Sequence, residues 1–182
     1  DDIIKKISQQ YNLVHRLDKE TSGLLIISKN IKTTKAFGNL FREQKIEKTY
    51  VAVCHSMPKN NESIVRLNIP SKINPDKSSL SITKYKVVLN QKKSSVILFK
   101  PLTGKTHQLR IVSQNIGSPI IGDNKYNKYN KYNLEKLKLN AYFLKFVLNG
   151  KDYIFKSLLP NHFFYFFDKK SSMSKIDKYL SS

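Results

Sequence analysis

Asn149-Gly150 separates two stretches of strand-forming residues, Leu139 to Leu148 and Tyr153 to Leu158. An Asn-Gly pair supplies the two positive φ values of a tight hairpin turn, whose twist matches that of the strands it joins. The chain is thereby committed to antiparallel pairing at this point. Lys84 to Asn90 and Ser94 to Lys100 form a second such pair around Gln91-Lys92-Lys93. Thr49 to Cys54 alternates, with β-branched members, and predicts a further strand. Leu24-Leu25-Ile26-Ile27-Ser28 is a continuous apolar run behind Gly23 and predicts a buried strand. Helical spacing is confined to two places. Ile31, Thr34, Phe37, Leu40 and Phe41 recur at that spacing through Lys45, with Asn30 as the cap and Gly38 as a weak point. Thr106 to Ile116 predicts a helix ended by Gly117. Met57 to Glu62 reads as a polar loop, and Ile3 to Tyr11 as a helical turn leading to a strand. Strand pairs with few helices predict an α+β fold: a mainly antiparallel mixed sheet with a few flanking helices.

The 182 residues suit one domain with a real core. We place it at residues 1–168 and expect the Lys/Ser-rich residues 169–182 to form a mobile basic tail. Asn124 to Asn133 is a Lys-Tyr-Asn triplet repeat, too short for a solenoid. It reads first as a tolerated surface insertion. Its second reading is a set of Lys and Tyr side chains for phosphates and bases. Against 13 acidic residues stand 33 Lys and Arg, a formal charge of +20. That sign fits RNA, DNA or an anionic membrane, since each neutralised phosphate releases counterions. A compositional bias toward Lys, Asn, Ile and Tyr gives the same sign, and the two readings coexist. Cys54 is the single cysteine, so an intrachain disulfide is excluded. No apolar run approaches the roughly 20 residues of a membrane span, and Asp1 to Gln10 lacks a signal-peptide layout. The expectation is a cytoplasmic, monomeric protein without a membrane partner. Asp1 stands where an initiator Met would, which suggests a piece of a longer chain.

Three separated islands carry chemistry. The first is His15-Arg16-Leu17-Asp18-Lys19-Glu20-Thr21-Ser22-Gly23. Its Asp18 lies among cations and hydroxyls, which would keep a carboxylate ionised and oriented for attack or proton removal. On local composition alone, an Asx-type turn capped by Asp18 is the favoured reading. The second island is Lys48-Thr49-Tyr50, where strand alternation puts Lys48 and Tyr50 on one face. The third is Leu102-Thr103-Gly104-Lys105-Thr106-His107-Gln108-Leu109-Arg110-Ile111. Other chemistries find no pattern. Cys54-His55 and the scattered His residues lack zinc spacing, no phosphate-binding glycine loop occurs, and Glu20 is the only carboxylate close to Asp18 in sequence.

The first island resembles the signature of the RluA-type pseudouridine synthases, His-Arg-Leu-Asp-x-x-Thr-Ser-Gly before an apolar strand, at all seven specified positions of nine. The second resembles that family's Lys-x-Tyr element. The third resembles its Thr-Gly-Arg-Thr-His-Gln-Ile/Leu-Arg motif, with Lys105 in place of the commoner Arg. Gly117-Ser-Pro119-Ile120-Ile-Gly122-Asp123-x-x-Tyr126 resembles the usual continuation, and the C-terminal strands fit apart from Asn140 in place of a common His. The resemblance runs from Asp1 to Phe167, and the approach to His15 is similar to that of the large-subunit ribosomal branch of type C. It implies Asp18 as nucleophile, Arg110 as its ion partner and Tyr50 as a face for uracil or an acceptor of its C5 proton. Arg16 is implied to help displace the flipped uridine, unless it is a phosphate contact. Lys48, Lys105 and His107 are implied contacts to substrate RNA. His15, Thr21, Ser22, Gly23 and Gly104 are read as scaffold of the motifs. No metal and no organic cofactor are implied, and the implied partner is 23S ribosomal RNA. The family's leading strand with its Lys-Pro-x-Gly turn, and its frequent S4 domain, have no counterpart in this chain. Two alternatives stay open: an inactive synthase fragment that binds RNA, and a synthase acting on transfer RNA.

Overall fold

A computed structural model describes residues 11–71, 74, 76–91, 93–129 and 135–181. The expectation for Ile3 to Gln10, and that for the end of the triplet repeat, lie outside the described residues. The elements in chain order are β1 (Asn12–Leu13), β2 (Ser22–Gly23), β3 (Ile27–Ser28), α1 (Ile31–Arg42), β4 (Glu47–His55), β5 (Glu62–Pro70), β6 (Ser78–Gln91), β7 (Ser94–Pro101), α2 (Gln108–Asn115), β8 (Leu139–Leu148), β9 (Lys151–Lys156), a 3-10 turn (Asn161–Tyr165) and α3 (Lys169–Ser181). Seven strands form one sheet in the order β2-β8-β4-β7-β6-β5, with β9 also on β8. Every pairing in it is antiparallel except the short parallel one between β2 and β8. Since β4 covers one edge of β8 from Leu139 to Lys145, β2 and β9 share the other edge. The expected α+β class and mainly antiparallel sheet are what the chain forms.

Period-2 alternation sorts the core. Val51, Val53, Val96 and Leu98 point to one face, packed by Phe163 of the 3-10 turn, Phe167 just after it and Ile176 of α3. Ala52, Cys54, Ile97 and Phe99 point to the other, packed by Leu109 and Val112 of α2. β7 is therefore buried on both sides, and each of its four large apolar side chains contributes about 2 kcal/mol. α1 adds Phe37 against Ile46, Leu144 and Phe146. A bulge sets β8 against β4: Thr49 pairs with Phe143 but Tyr50 with Ala141, so Tyr142 is the extra residue. Leu139 and Ala141 before the bulge and Leu144 and Phe146 after it then share a face. α1 and α2 thus cover the same side of the sheet, with a gap between them.

Several expectations are corrected. Leu24 to Ser28 is not one buried strand. Only Ile27–Ser28 ladders, with β1, and only Ser28 is buried. The backbone of the run is satisfied otherwise: Leu24 N–H donates to Ala141 O at 2.9 Å and Ile26 N–H to His15 Nε2 at 2.8 Å. β6 begins at Ser78, ahead of Lys84, and pairs with β5, which starts at Glu62 within the expected loop. This hairpin leaves Ile64 and Leu80 exposed, so its apolar pattern is faint. Residues 169–181, expected to be a mobile tail, form α3, which buries Ile176 and Ser172 and ties Asp177 to Lys156 at 2.8 Å. No helix among the described residues is long and apolar enough to cross a membrane.

Candidate active site

The gap between α1 and α2 is a cleft of about 980 Å³. Nine of its lining residues are Lys or Arg, Arg16, Lys48, Lys105 and Arg110 among them, against two carboxylates, Asp18 and Glu47. Residues from all three sequence islands meet there.

The Asp18 loop is built by its neighbours. The chain turns by a backbone bond alone, Thr21 N–H to Asp18 O at 2.9 Å. The carboxylate is thus released from the Asx role and faces the cleft. Ser22 does not reach it, since the Ser22 hydroxyl contacts Leu139 O and accepts from Asn140 Nδ2 at 2.9 Å. Gly23 holds φ at +108°, and a Cβ there would stand 2.3 Å from Ala141 O. Only glycine allows this approach to β8. His15 braces the loop from behind through its bond from Ile26 N–H, which requires an unprotonated Nε2. Burial, and then the Lys48 ammonium, pull its imidazole down to about 4, which keeps it neutral.

The third island folds differently from expectation. The helix starts at Gln108, and His107 adopts the left-handed conformation with φ 54°. Gln108 explains this. Its Oε1 accepts from Lys105 N–H at 2.9 Å and Thr103 Oγ1 at 2.8 Å, and its Nε2 donates to Ile82 O and Thr83 Oγ1. A fully used amide pins residues 103–107 as a loop against β6. Gly104 lines the cleft, and a Cβ there would meet nothing within 4 Å.

Arg110, buried on α2, gives its fork to Asp123. Nε reaches Oδ2 and Nη2 reaches Oδ1, both at 2.7 Å. The remaining nitrogen, Nη1, stands 4.0 Å from Asp18 Oδ2. The expected pairing of Arg110 with Asp18 is therefore a long contact, and the close bidentate partner is Asp123. His107 Nε2 lies 3.9 Å from Asp18 Oδ1, and its Nδ1 bonds the Tyr126 hydroxyl at 2.9 Å. Burial pushes the Asp123 carboxyl up, but Arg110 and the N–H groups of Tyr126 and Lys125 outweigh it and hold it below its ordinary value. The same bond raises Arg110, against the opposing effect of burial.

Tyr50 and Lys48 share a face of β4 and line the cleft, as alternation predicts. Burial first, and the Asp18 charge second, push the Tyr50 phenol up to about 12. Burial lowers the Lys48 ammonium, which lies 5.9 Å from the Phe41 ring centroid. Arg16 is exposed and Lys105 half-buried, both on the cleft wall. Gln108, Asp123 and Tyr126 were absent from the expected site. Each sits inside a quoted motif, so a signal existed, but local sequence does not say which side chain turns inward.

Solved structures share this architecture. Human RNA Pseudouridylate Synthase Domain Containing 4 superposes with a TM-score of 0.77 over 92% of this chain and 76% of its own, at 23% identity. Human RNA Pseudouridylate Synthase Domain Containing 1 gives 0.71 over 81% and 69%, at 22%. These define the class of fold as that of a pseudouridylate synthase catalytic domain. The sequence carries the assignment further: residues 4–115 match the RNA pseudouridylate synthase family, and the chain belongs to that family. It is 36% identical over 179 residues to Ribosomal large subunit pseudouridine synthase C of Rickettsia bellii, covering 90% of this chain and 60% of that protein. An uncharacterized RNA pseudouridine synthase of Haemophilus influenzae is 36% identical over 176 residues, covering 93% and 77%. The chain thus spans about three fifths of the Rickettsia relative.

Proposed function

We propose that this chain isomerises uridine to pseudouridine in RNA, with large-subunit 23S ribosomal RNA as substrate and Asp18 as the group that opens the glycosidic bond. One observation carries the reading: in a member of this family, the Asp18 carboxylate and a buried Arg110 guanidinium converge in a basic cleft with Tyr50 beside them. The names of the Rickettsia relatives support the choice of RNA.

In this reading the uridine leaves its stack, at a cost of a few kcal/mol that phosphate contacts to the cleft cations offset. Arg16, Lys48, Lys105 and His107 contact the substrate RNA. Asp18 acts on the ribose, either attacking C1′ or removing the C2′ proton, and both routes need an ionised carboxylate. The N1–C1′ bond breaks, uracil rotates on the face of Tyr50, and a C5–C1′ bond forms. N1 gains a proton and C5 loses one. The C5 proton passes to Tyr50 or to water, and the burial that raises the Tyr50 phenol to about 12 favours water. The atoms balance within the uridine, so the reaction calls for no cofactor.

The test is a map of pseudouridines in cellular RNA with and without this protein. Loss of sites from 23S RNA is expected. Loss confined to transfer RNA would move the substrate, and an unchanged map would contradict the activity.

A further inference from the structure

We infer that the tight turn from Gly122 to Tyr126 is a two-armed positioning device for Asp18, in which Asp123 aims Arg110 at one carboxylate oxygen and Tyr126 aims His107 at the other. The inference rests on the reading of Asp18 as the reacting group.

The two oxygens of Asp18 are approached separately. Oδ2 faces Arg110 Nη1 at 4.0 Å, and Oδ1 faces His107 Nε2 at 3.9 Å. Neither contact is a closed hydrogen bond. An unrestrained guanidinium would close on the carboxylate with two bonds of about 2.8 Å and occupy the lone pairs that chemistry needs. Asp123 prevents this by taking the Nε and Nη2 edge of Arg110 for itself. The charge stays near Asp18 while the carboxylate stays unengaged. Tyr126 touches both arms. Its hydroxyl meets His107 Nδ1, its ring lies 5.2 Å from the Arg110 guanidinium carbon, and the His107 ring meets it edge-on at 5.6 Å.

The turn itself is fixed. Asp123 Oδ1 accepts the N–H groups of Lys125 and Tyr126, each at 2.9 Å, and Asn127 Nδ2 donates to Ile120 O at 2.8 Å. Gly122 holds φ at +81°, and a Cβ there would stand 2.2 Å from Lys136 O, so no other residue fits without movement. The geometry also sets a tautomer. The negative charge of Asp18 favours a proton on His107 Nε2, which leaves Nδ1 to accept from the Tyr126 hydroxyl.

The test uses the full chain and an unmodified 23S ribosomal RNA transcript. ¹⁵N NMR of the wild type is expected to give the Nε2–H tautomer for His107, and Tyr126→Phe to lose that preference. Asp123→Asn is expected to slow single-turnover product formation by about 10²-fold, the size of an effect of misplacement by about 1 Å, while RNA affinity stays within about threefold. An Nδ1–H tautomer in the wild type, or a Tyr126→Phe spectrum unchanged at His107, would overturn the clamp. So would an Asp123→Asn protein that turns over at the wild-type rate, or one that loses affinity in step with rate. The NMR arm needs no activity and no Asp123 variant. It judges the clamp even if Asp123→Asn does not fold, and a wild type that makes no pseudouridine would count against the proposed activity alone.

Discussion

Asp18 and Asp123 offer a carboxylate to the same guanidinium and are used in opposite ways. Asp123 is fully buried, and its oxygens accept four bonds: two from Arg110 and one each from the N–H groups of Lys125 and Tyr126. Asp18 keeps 20% of its side chain open to the cleft and stands 4.0 Å from the Arg110 guanidinium and 3.9 Å from the His107 imidazole. The first carboxylate is consumed by structure, which lowers its proton affinity and pins Arg110. The second is left with capacity to spare. A buried, saturated acid is scaffold, while a shielded but unsaturated one is available for chemistry.

The contrast can be broken by experiment. The largest effect is expected from Arg110→Lys, which keeps the charge but loses the fork that serves both acids. Single-turnover rates are predicted to fall about 10³-fold, near 4 kcal/mol. Retention of the wild-type rate would mean that the geometry at Asp18 does not matter. Next, Asp123→Ala strands Arg110 as a buried charge and should cost roughly 3–5 kcal/mol in urea unfolding. Asp18→Ala should cost less than about 1 kcal/mol, and equal losses would erase the distinction. A smaller effect concerns His15, whose pKa falls from 6.5 unfolded to about 4 folded. The unfolded state binds the extra proton, so this contribution is fully present above pH 6.5 and declines as pH falls toward 4. It amounts to at most about 3 kcal/mol. His15→Gln should flatten that part of the stability profile, and an unaltered slope would remove His15 from the account. The smallest effect is expected at Lys156 and Asp177, an exposed pair at 2.8 Å. Either alanine variant should change stability by under about 0.5 kcal/mol.

How much of this was legible in the sequence depended on where the determinants lie. The Asn149-Gly150 hairpin was local, and both residues take the positive φ that the pair favours. The Asn30 cap was local too, its Oδ1 accepting Thr33 N–H at 2.9 Å. Tyr50 and Lys48 could be put on one face because alternation needs no partner to be known. The failures have distant causes. Leu24 to Ile27 looks like a strand, but its N–H groups are met by Ala141 and by a histidine side chain, neither readable from the run itself. Thr106 and His107 look helical, but the Gln108 bonds to β6 hold them as loop. α3 carries so many Lys and Ser residues that its buried Ile176 gave little signal. For Arg110, the motif brought the right residue to the right cleft, but the choice between two acids was made by a turn thirteen residues further on.

The most direct measurement is pseudouridine yield from an unmodified 23S ribosomal RNA transcript, with purified protein and with its Asp18→Asn variant side by side. Product is expected with the first and none with the second, at RNA affinities equal within about threefold. Product from pure Asp18→Asn protein at a rate near that of the wild type would contradict it.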